Sequence, residues 1–473
     1  MEPCGGASLP VRDAATGEVI AHVPAATADQ ARAAVDAASA ALPKWAGTPV
    51  AVRADLLRRC ASRSRAQRER LADIITAEVG KPLAESLAEV DYSADYFDSA
   101  ADECGRLHTE VLPPRRSGRV QSAEPQPIGV VAAVTPWNFP LAMLARKTAP
   151  ALAAGCTQVA KPAEETPLSA LALAEILVVE GLPDGALNVI TGAPEPIVHA
   201  WLADGRVRKV SFTGSTEVGR LLMRGAATQL VRLSLELGGH APFLVFADAD
   251  ISGAVDAAIL GKFRVAGQTC ICPNRFIVHA SVVQDFGERL ATAAAALPIG
   301  LGRTPGVRVG PLISDEAVAR VSAHVKDAVD RGGRVLTGGA TVRVPHCVDR
   351  FFAPTVIAGA TPSMRCFNEE TFGPLAPIAS VESDDAMIRM ANATPYGLAG
   401  YAFSSDPDRV AWAAKHLQCG IVGCNTTAVS DAYAPFGGRG WSGFGREGGR
   451  WGVDEYLAWK YVCEARSEPL TSR

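Results

Sequence analysis

Ile128-Gly-Val-Val-Ala-Ala-Val134 opens the stretch on which the fold turns. This short β-branched run is followed by a helical pattern from Ala142 to Ala154, a second run from Thr157 to Ala160 and a second helical pattern from Pro167 to Glu180. Leu187 to Ile190 and Lys209 to Phe212 continue the series. Strands alternating with helices predict a parallel sheet with crossover helices. Such a sheet binds nucleotides at the carboxyl ends of its strands.

Upstream, about 110 residues read as mostly helical from their apolar spacing. Thr27 to Ala41, Val50 to Val79 and Ala84 to Leu107 carry the pattern, with Thr27 as an N-cap and Pro43, Pro49 and Pro82 as punctuation. Downstream, a second α/β region runs from His240 to about Gly443, with strand signals at Pro242 to Phe246, Arg275 to His279, Arg334 to Leu336, Ala399 to Phe403 and Gly420 to Val422. The tail from Val453 to Cys463 alternates weakly.

A chain of 473 residues exceeds one ordinary core, so two or three domains are expected. A net charge of −4 argues against nucleic acid as a partner. Arg58-Arg59 and Arg115-Arg116 read as solvated pairs. Met1 to Gly6 lacks the features of a secretory signal, Thr471-Ser-Arg473 matches no address, and no apolar run is long enough for a membrane span. Eleven cysteines without a pairing rhythm suggest a reducing, cytoplasmic setting, and no metal site is expected.

Cys270, in Gly267-Gln-Thr-Cys-Ile-Cys272, falls between a helical segment, Ala254 to Arg264, and the strand signal at Arg275. A thiol at such a junction is expected to stand exposed at a cleft. Leu235-Glu-Leu-Gly-Gly239 supplies a carboxylate beside two glycines. Thiol, carboxylate and glycine-rich backbone together point to covalent catalysis on a carbonyl. Two G-x-G-x-x-G matches, from Gly438 and from Gly443, follow no strand and read as loop glycines.

Seven stretches, in order, resemble the NAD(P)-dependent aldehyde dehydrogenases: Thr135-Pro-Trp-Asn-Phe-Pro140, Lys161-Pro-Ala-Glu164, Phe212-Thr-Gly-Ser-Thr-Glu-Val-Gly219, Leu235 to Gly239, Gly267 to Cys270, Glu369-Glu-Thr-Phe-Gly-Pro374 and Pro435-Phe-Gly-Gly438. The resemblance implies a Rossmann-type NAD-binding domain (1–119 and 130–239), an α/β catalytic domain (240–443) and a small β oligomerisation arm (120–129 and 444–473) in a homodimer or homotetramer. It implies Cys270 as nucleophile, Glu236 as general base, Asn138 with the Cys270 N–H as oxyanion donors, and Glu447 as an aid to proton transfer. Thr135, Pro136, Trp137, Lys161, Glu164, Thr213, Gly214, Ser215, Gly219, Leu237, Glu370 and Phe372 would surround the cofactor. Lys161 and Glu164 would hold the adenosine ribose. A carboxylate at Glu164 would repel a 2′-phosphate, favouring NAD over NADP.

The resemblance sharpens towards succinate-semialdehyde dehydrogenases, which implies that Arg146, Arg264 and Ser430 bind a substrate carboxylate. Paired arginines also suit glutarate semialdehyde or a phosphonate or sulfonate aldehyde. Two positions depart from the family pattern: His240, and Gly440 followed by Trp441. The second is expected to reshape the acid-binding end of the pocket. Cys272, two residues from the nucleophile, suggests a redox switch through a strained disulfide. A coenzyme A-acylating enzyme is disfavoured by Glu236, and a non-catalytic family member by the intact set Asn138, Glu236 and Cys270.

Overall fold

The computed structural model describes residues 7–113 and 119–465. The sequence readings at Met1–Gly6, Arg115-Arg116 and Thr471–Arg473 lie outside them. The expected alternation forms a six-stranded sheet in the order Gly443–Phe444, Arg232–Glu236, Val207–Thr213, Val130–Val134, Thr157–Lys161, Leu187–Val189. All neighbours are parallel except the Gly443–Phe444 edge. The central strands are buried on both faces, which is why they read as unbroken apolar runs. The helix Pro140–Ala154 is buried along its whole length under the helices Val50–Ala66 and Leu83–Cys104.

The amino-terminal helices are as expected in kind, with corrected bounds. Thr27 caps Ala28–Ala46 in a reciprocal box with Gln30. That helix runs through Pro43, which sits in its last turn, so Pro43 does not end it. Val50 to Val79 is two helices, broken at Gln67. The hairpin Ser8–Arg12 with Val19–Pro24 was hidden by the helical reading of this region.

The second sheet has seven strands: Arg334–Thr337, Thr355–Ala358, Leu375–Val381, Pro273–His279, Ala241–Val245, Ala399–Phe403, Ile421–Cys424. Two of them, Thr355–Ala358 and Leu375–Val381, carried no sequence signal. Pro377 lies within the second, paired with Ile357 on one side and one residue before the pairing with Pro273–His279 begins at Ile378, so it stands at the margin of the ladder that proline cannot join. The third sheet pairs Arg119–Pro127 with Leu457–Ala465 and with Glu110–Leu112, all antiparallel. The end of the chain departs from a simple arm. Gly443–Phe444 returns to the first sheet, and Gly449–Asp454 packs on the helices Leu83–Cys104 and Pro140–Ala154 before the arm strand starts at Leu457. No helix of the described residues is long and apolar enough to cross a membrane.

Candidate active site

Cys270 lies in the turn between the helix Ile251–Phe263 and the strand Pro273–His279. Val265 and Ala266 there hold φ of 50° and 52°, a left-handed conformation that costs residues with a Cβ roughly 1–2 kcal/mol each. The turn is clamped: the Val265 N–H donates to Glu85 Oε2 at 2.9 Å, and Gln268 Nε2 donates to the Val265 carbonyl at 3.0 Å. The thiol is less open than its position suggested, being partly buried. Burial pushes its pKa up to about 12; Arg146 pulls it down, while Glu370 and Glu236 push it further up. At neutral pH the free thiol therefore keeps its proton and needs a base.

Glu236, at the end of the strand Arg232–Glu236, is the sequence's candidate for that role. It is buried, neither carboxylate oxygen has a hydrogen-bond partner, and burial together with Glu447 holds its pKa well above the usual range. An unpartnered carboxylate of raised pKa is poised to take a proton. The glycines that follow have steric reasons. A Cβ on Gly239 would come within 2.2 Å of the Cys270 carbonyl oxygen, and one on Gly238 within 2.5 Å of Glu370 Oε2. Only bare backbone lets the strap that follows Glu236 pass against the turn that carries Cys270.

Glu447 reaches this site because Gly443–Phe444 pairs with Leu235 and Glu236. Burial opposes its charge, but ion pairs with Arg146 and Lys147 hold its pKa below the usual carboxylate range. Lys147 Nζ also donates to Thr213 Oγ1 at 2.7 Å and Ser211 Oγ at 3.2 Å. Lys147 was missed in the sequence. The signal was there: two adjacent cations, Arg146 and Lys147, inside a helix whose every residue is buried, each requiring a carboxylate.

Asn138 is buried, and its Nδ2 donates to the Gln268 carbonyl at 2.9 Å, leaving its second N–H for an oxyanion. Its loop is fixed by a second missed pair. Lys81 Nζ donates to the Asn138 carbonyl at 3.0 Å, forms an ion pair with Glu89 and lies 4.2 Å from the Phe139 ring centroid. Glu89 Oε1 in turn accepts from the Leu141 and Ala142 N–H groups at 2.9 and 3.1 Å, capping the helix that follows.

The three anion-binding candidates meet at Cys270. Arg146, Arg264 and Ser430 line one narrow cavity with Cys270, Phe139 and Phe436. Arg264, Ser430, Tyr92 and Phe139 also line an outer chamber of about 440 Å³, which reads as the approach. The two arginines differ. Arg146 is buried, stacked 4.1 Å from the Phe436 ring and neutralised by Glu447, although its Nη2 has no partner. Arg264 lies 4.9 Å from the Phe139 ring and has no carboxylate at ion-pairing distance among the described residues. Gly440 and Trp441 line neither space. Cys272 is buried, with its thiol 3.3 Å from Lys262 Nζ, and both it and Cys270 are free thiols.

The cofactor candidates gather at the carboxyl ends of the first sheet. Ser215 caps the helix Thr216–Ala226, accepting from the Val218 N–H at 3.2 Å, so the helix start faces the cleft after the strand Val207–Thr213. A Cβ on Gly214 would meet the Phe212 ring at 2.3 Å, and one on Gly219 would meet Leu237 at 2.6 Å. Lys161 is buried and paired with Glu164 at 2.8 Å. The Thr135 hydroxyl is buried without a partner. Pro136 lies between Thr135 and Trp137, and Trp137 meets Phe372 edge-to-face at 5.8 Å. Glu370 accepts from the Gly239 N–H at 2.9 Å. An open helix start, an orphaned hydroxyl and a Lys/Glu pair fit a dinucleotide.

A nucleotide-type sheet facing a second α/β unit, with a thiol and a buried carboxylate between them, has the make-up of an oxidoreductase of carbonyl substrates. The sequence pattern of the aldehyde dehydrogenase family matches residues 2–462, and the chain belongs to that family, whose members use a nicotinamide dinucleotide. A succinate-semialdehyde dehydrogenase [NADP(+)] of Escherichia coli strain K12 is 44% identical over 98% of this chain and 95% of its own. A glutarate-semialdehyde dehydrogenase of Pseudomonas putida is also 44% identical, over the same shares. The crystal structure of a succinate-semialdehyde dehydrogenase from Burkholderia pseudomallei, 46% identical, superposes with a TM-score of 0.95 over 97% of this chain and 95% of that one. This protein is an aldehyde dehydrogenase, and its relatives act on semialdehydes.

Proposed function

We propose that the protein oxidises an anionic semialdehyde, succinate semialdehyde first, to the free acid with NAD. The observation that carries this reading is Arg264: a cation with no carboxylate partner among the described residues, sharing one cavity with Cys270, Arg146 and Ser430. Cys270 Sγ adds to the carbonyl carbon while its proton passes to Glu236. The oxygen, now negative, accepts from Asn138 Nδ2 and the Cys270 N–H, a donor pair in which each member is typically worth ~10²–10³-fold in rate. A bound nicotinamide dinucleotide supplies the two-electron acceptor for the hydride. Oxidation leaves a thioester on Cys270. Glu236 first releases the thiol's proton towards solvent, then takes a proton from water as the water adds to the thioester, and the C–S bond breaks as Glu236 returns that proton to Cys270 and the acid departs. Lys147 and Glu447 hold the proton's onward route.

The cofactor would lie along Thr135, Lys161, Glu164, Ser215 and Glu370. Glu164 favours NAD, because a carboxylate paired with Lys161 at the adenosine ribose would oppose a 2′-phosphate. Replacing Glu164 by Gln should raise the ratio of kcat/KM with NADP to that with NAD; an unchanged ratio would remove the argument. The arm formed by Arg119–Pro127 and Leu457–Ala465, with Trp459 and Tyr461 exposed, supports a homodimer or homotetramer, and the free state of the cysteines among the described residues supports a cytoplasmic setting.

Reduced-cofactor formation across succinate semialdehyde, glutarate semialdehyde, phosphonoacetaldehyde and a neutral aldehyde of similar length tests the substrate class. A kcat/KM about 100-fold higher for succinate semialdehyde than for the neutral analogue is expected. A win for glutarate semialdehyde or the phosphonate would keep the clamp and change the substrate. No preference for charge would end the anionic reading.

A further inference from the structure

The two positions that depart from the family pattern, His240 and Gly440, meet in one place. The chain crosses between its two large sheets twice, and the crossings lie side by side. The Leu237 N–H donates to the Ser442 carbonyl at 3.1 Å, Ser442 Oγ donates to the Gly238 carbonyl at 2.7 Å, and the Arg439 N–H donates to the Gly397 carbonyl at 3.0 Å. Beside them lies a cavity of about 180 Å³, lined in part by His240, Arg275, Tyr396, Cys419, Arg439 and Gly440. It shares no lining residue with the Cys270 cavity or its approach.

Its walls mix apolar side chains such as Leu398 and Leu417 with polar ones, and carry charge of one sign. Two arginines and a histidine line it, and no aspartate or glutamate does. Arg275 is almost completely buried. It donates to the carbonyls of His240, Met390 and Ala391 at 3.0, 3.0 and 2.7 Å, which uses three of its five N–H groups. No carboxylate lies at ion-pairing distance from it among the described residues, and burial, unopposed, draws its pKa down to about 10. Arg439 is exposed at the cavity's rim and likewise has no ion pair among the described residues.

His240 is 2% exposed, and neither of its ring nitrogens has a hydrogen-bond partner. Burial, then Arg275, pulls its pKa down to about 3, with the Phe367 carbonyl opposing weakly, so the ring is neutral and offers one donor and one acceptor. A buried cation without an anion, beside an unpartnered ring, is costly unless something in the cavity completes both.

We propose that this cavity is a second ligand site, separate from the active site, which takes a small doubly charged oxyanion, either phosphate or a short dicarboxylate. The anion would neutralise Arg275 and Arg439 and accept from the His240 ring. Its occupancy would tie together the two crossings, the first of which begins at Glu236. The proposal does not depend on which aldehyde the enzyme oxidises.

Isothermal titration of inorganic phosphate, and separately of succinate, at constant ionic strength tests it on the full chain. Arg439→Gln is the informative variant, because Arg439 is exposed and its loss leaves the core intact. Arg264→Met controls for anion binding at the active site. The expected result is saturable binding of at least one anion, weakened about 10-fold or more by Arg439→Gln (about 1.4 kcal/mol) and unchanged by Arg264→Met. The tighter of the two anions identifies the ligand class. Binding that is insensitive to Arg439→Gln, binding lost only in Arg264→Met, or no binding of either anion would overturn the proposal.

Discussion

Replacing Arg264 by Met removes a cation while keeping a flexible stem against the Phe139 ring. The structure gives this change an unequal effect relative to the same change at Arg146. Arg146 already satisfies Glu447, so its charge is largely spent before a substrate arrives. Arg264 is opposed only at longer range, by Glu85, so its field is open to a substrate carboxylate. A charge-assisted hydrogen bond is worth about 1.5–3 kcal/mol, and a carboxylate left partly desolvated adds to that loss. Arg264→Met should therefore cost about 2–4 kcal/mol of transition-state binding, roughly 30- to 900-fold in kcat/KM for an anionic aldehyde. A neutral aldehyde of the same length should change less than about threefold, since it never used the charge. The assay is kcat/KM for both aldehydes at saturating cofactor, with folding checked by the thermal midpoint. An equal loss for both aldehydes would mean that Arg264 supports the nucleophile's turn and does not read the substrate. Retained discrimination would refute the argument outright.

Three further outcomes are expected. Gly239→Ala should lower kcat by about 100-fold or more, because its Cβ would fall 2.2 Å from the Cys270 carbonyl oxygen and displace the nucleophile; near-normal kcat would show that the strap has slack. Glu447→Gln removes a charge that raises the Glu236 pKa and leaves Arg146 and Lys147 lowering it, so the acid limb of the kcat–pH profile should move to lower pH. A shift to higher pH would mean that another group carries that limb. If Cys272 closes a disulfide with Cys270, it must first leave its contact with Lys262, and Cys272→Ala should make peroxide inactivation harder to reverse with thiol reductant. Equal reversibility in parent and variant would leave Cys272 as a packing residue.

Much of this was legible in the chain. The first sheet could be read from Val130 to Thr213 because its strands are covered on both faces and helices intervene at regular intervals. Cys270, Glu236 and Asn138 stood out because each sits in a short local motif. What stayed hidden depends on contacts between distant parts of the chain. Lys147 meets Glu447 across 300 positions, and Lys81 meets Asn138 across 57. The strand containing Pro377 was masked by a residue that sheets normally exclude, and Gly443–Phe444 is too short to leave a pattern. The cavity beside the crossings was invisible for the same reason: His240, Arg275 and Arg439 belong to separate segments that only the fold brings together.

Glu85 and Glu89 stand one turn apart on the helix Leu83–Cys104, about 6 Å along its axis. One grips the turn that carries the nucleophile and the other grips the loop that carries the oxyanion donor. The gap between thiol and donor is thus gauged against the pitch of a single helix, a length that no side-chain exchange in the pocket alters. A change at a wall position such as Tyr92 would reshape the chamber and leave that spacing as it is.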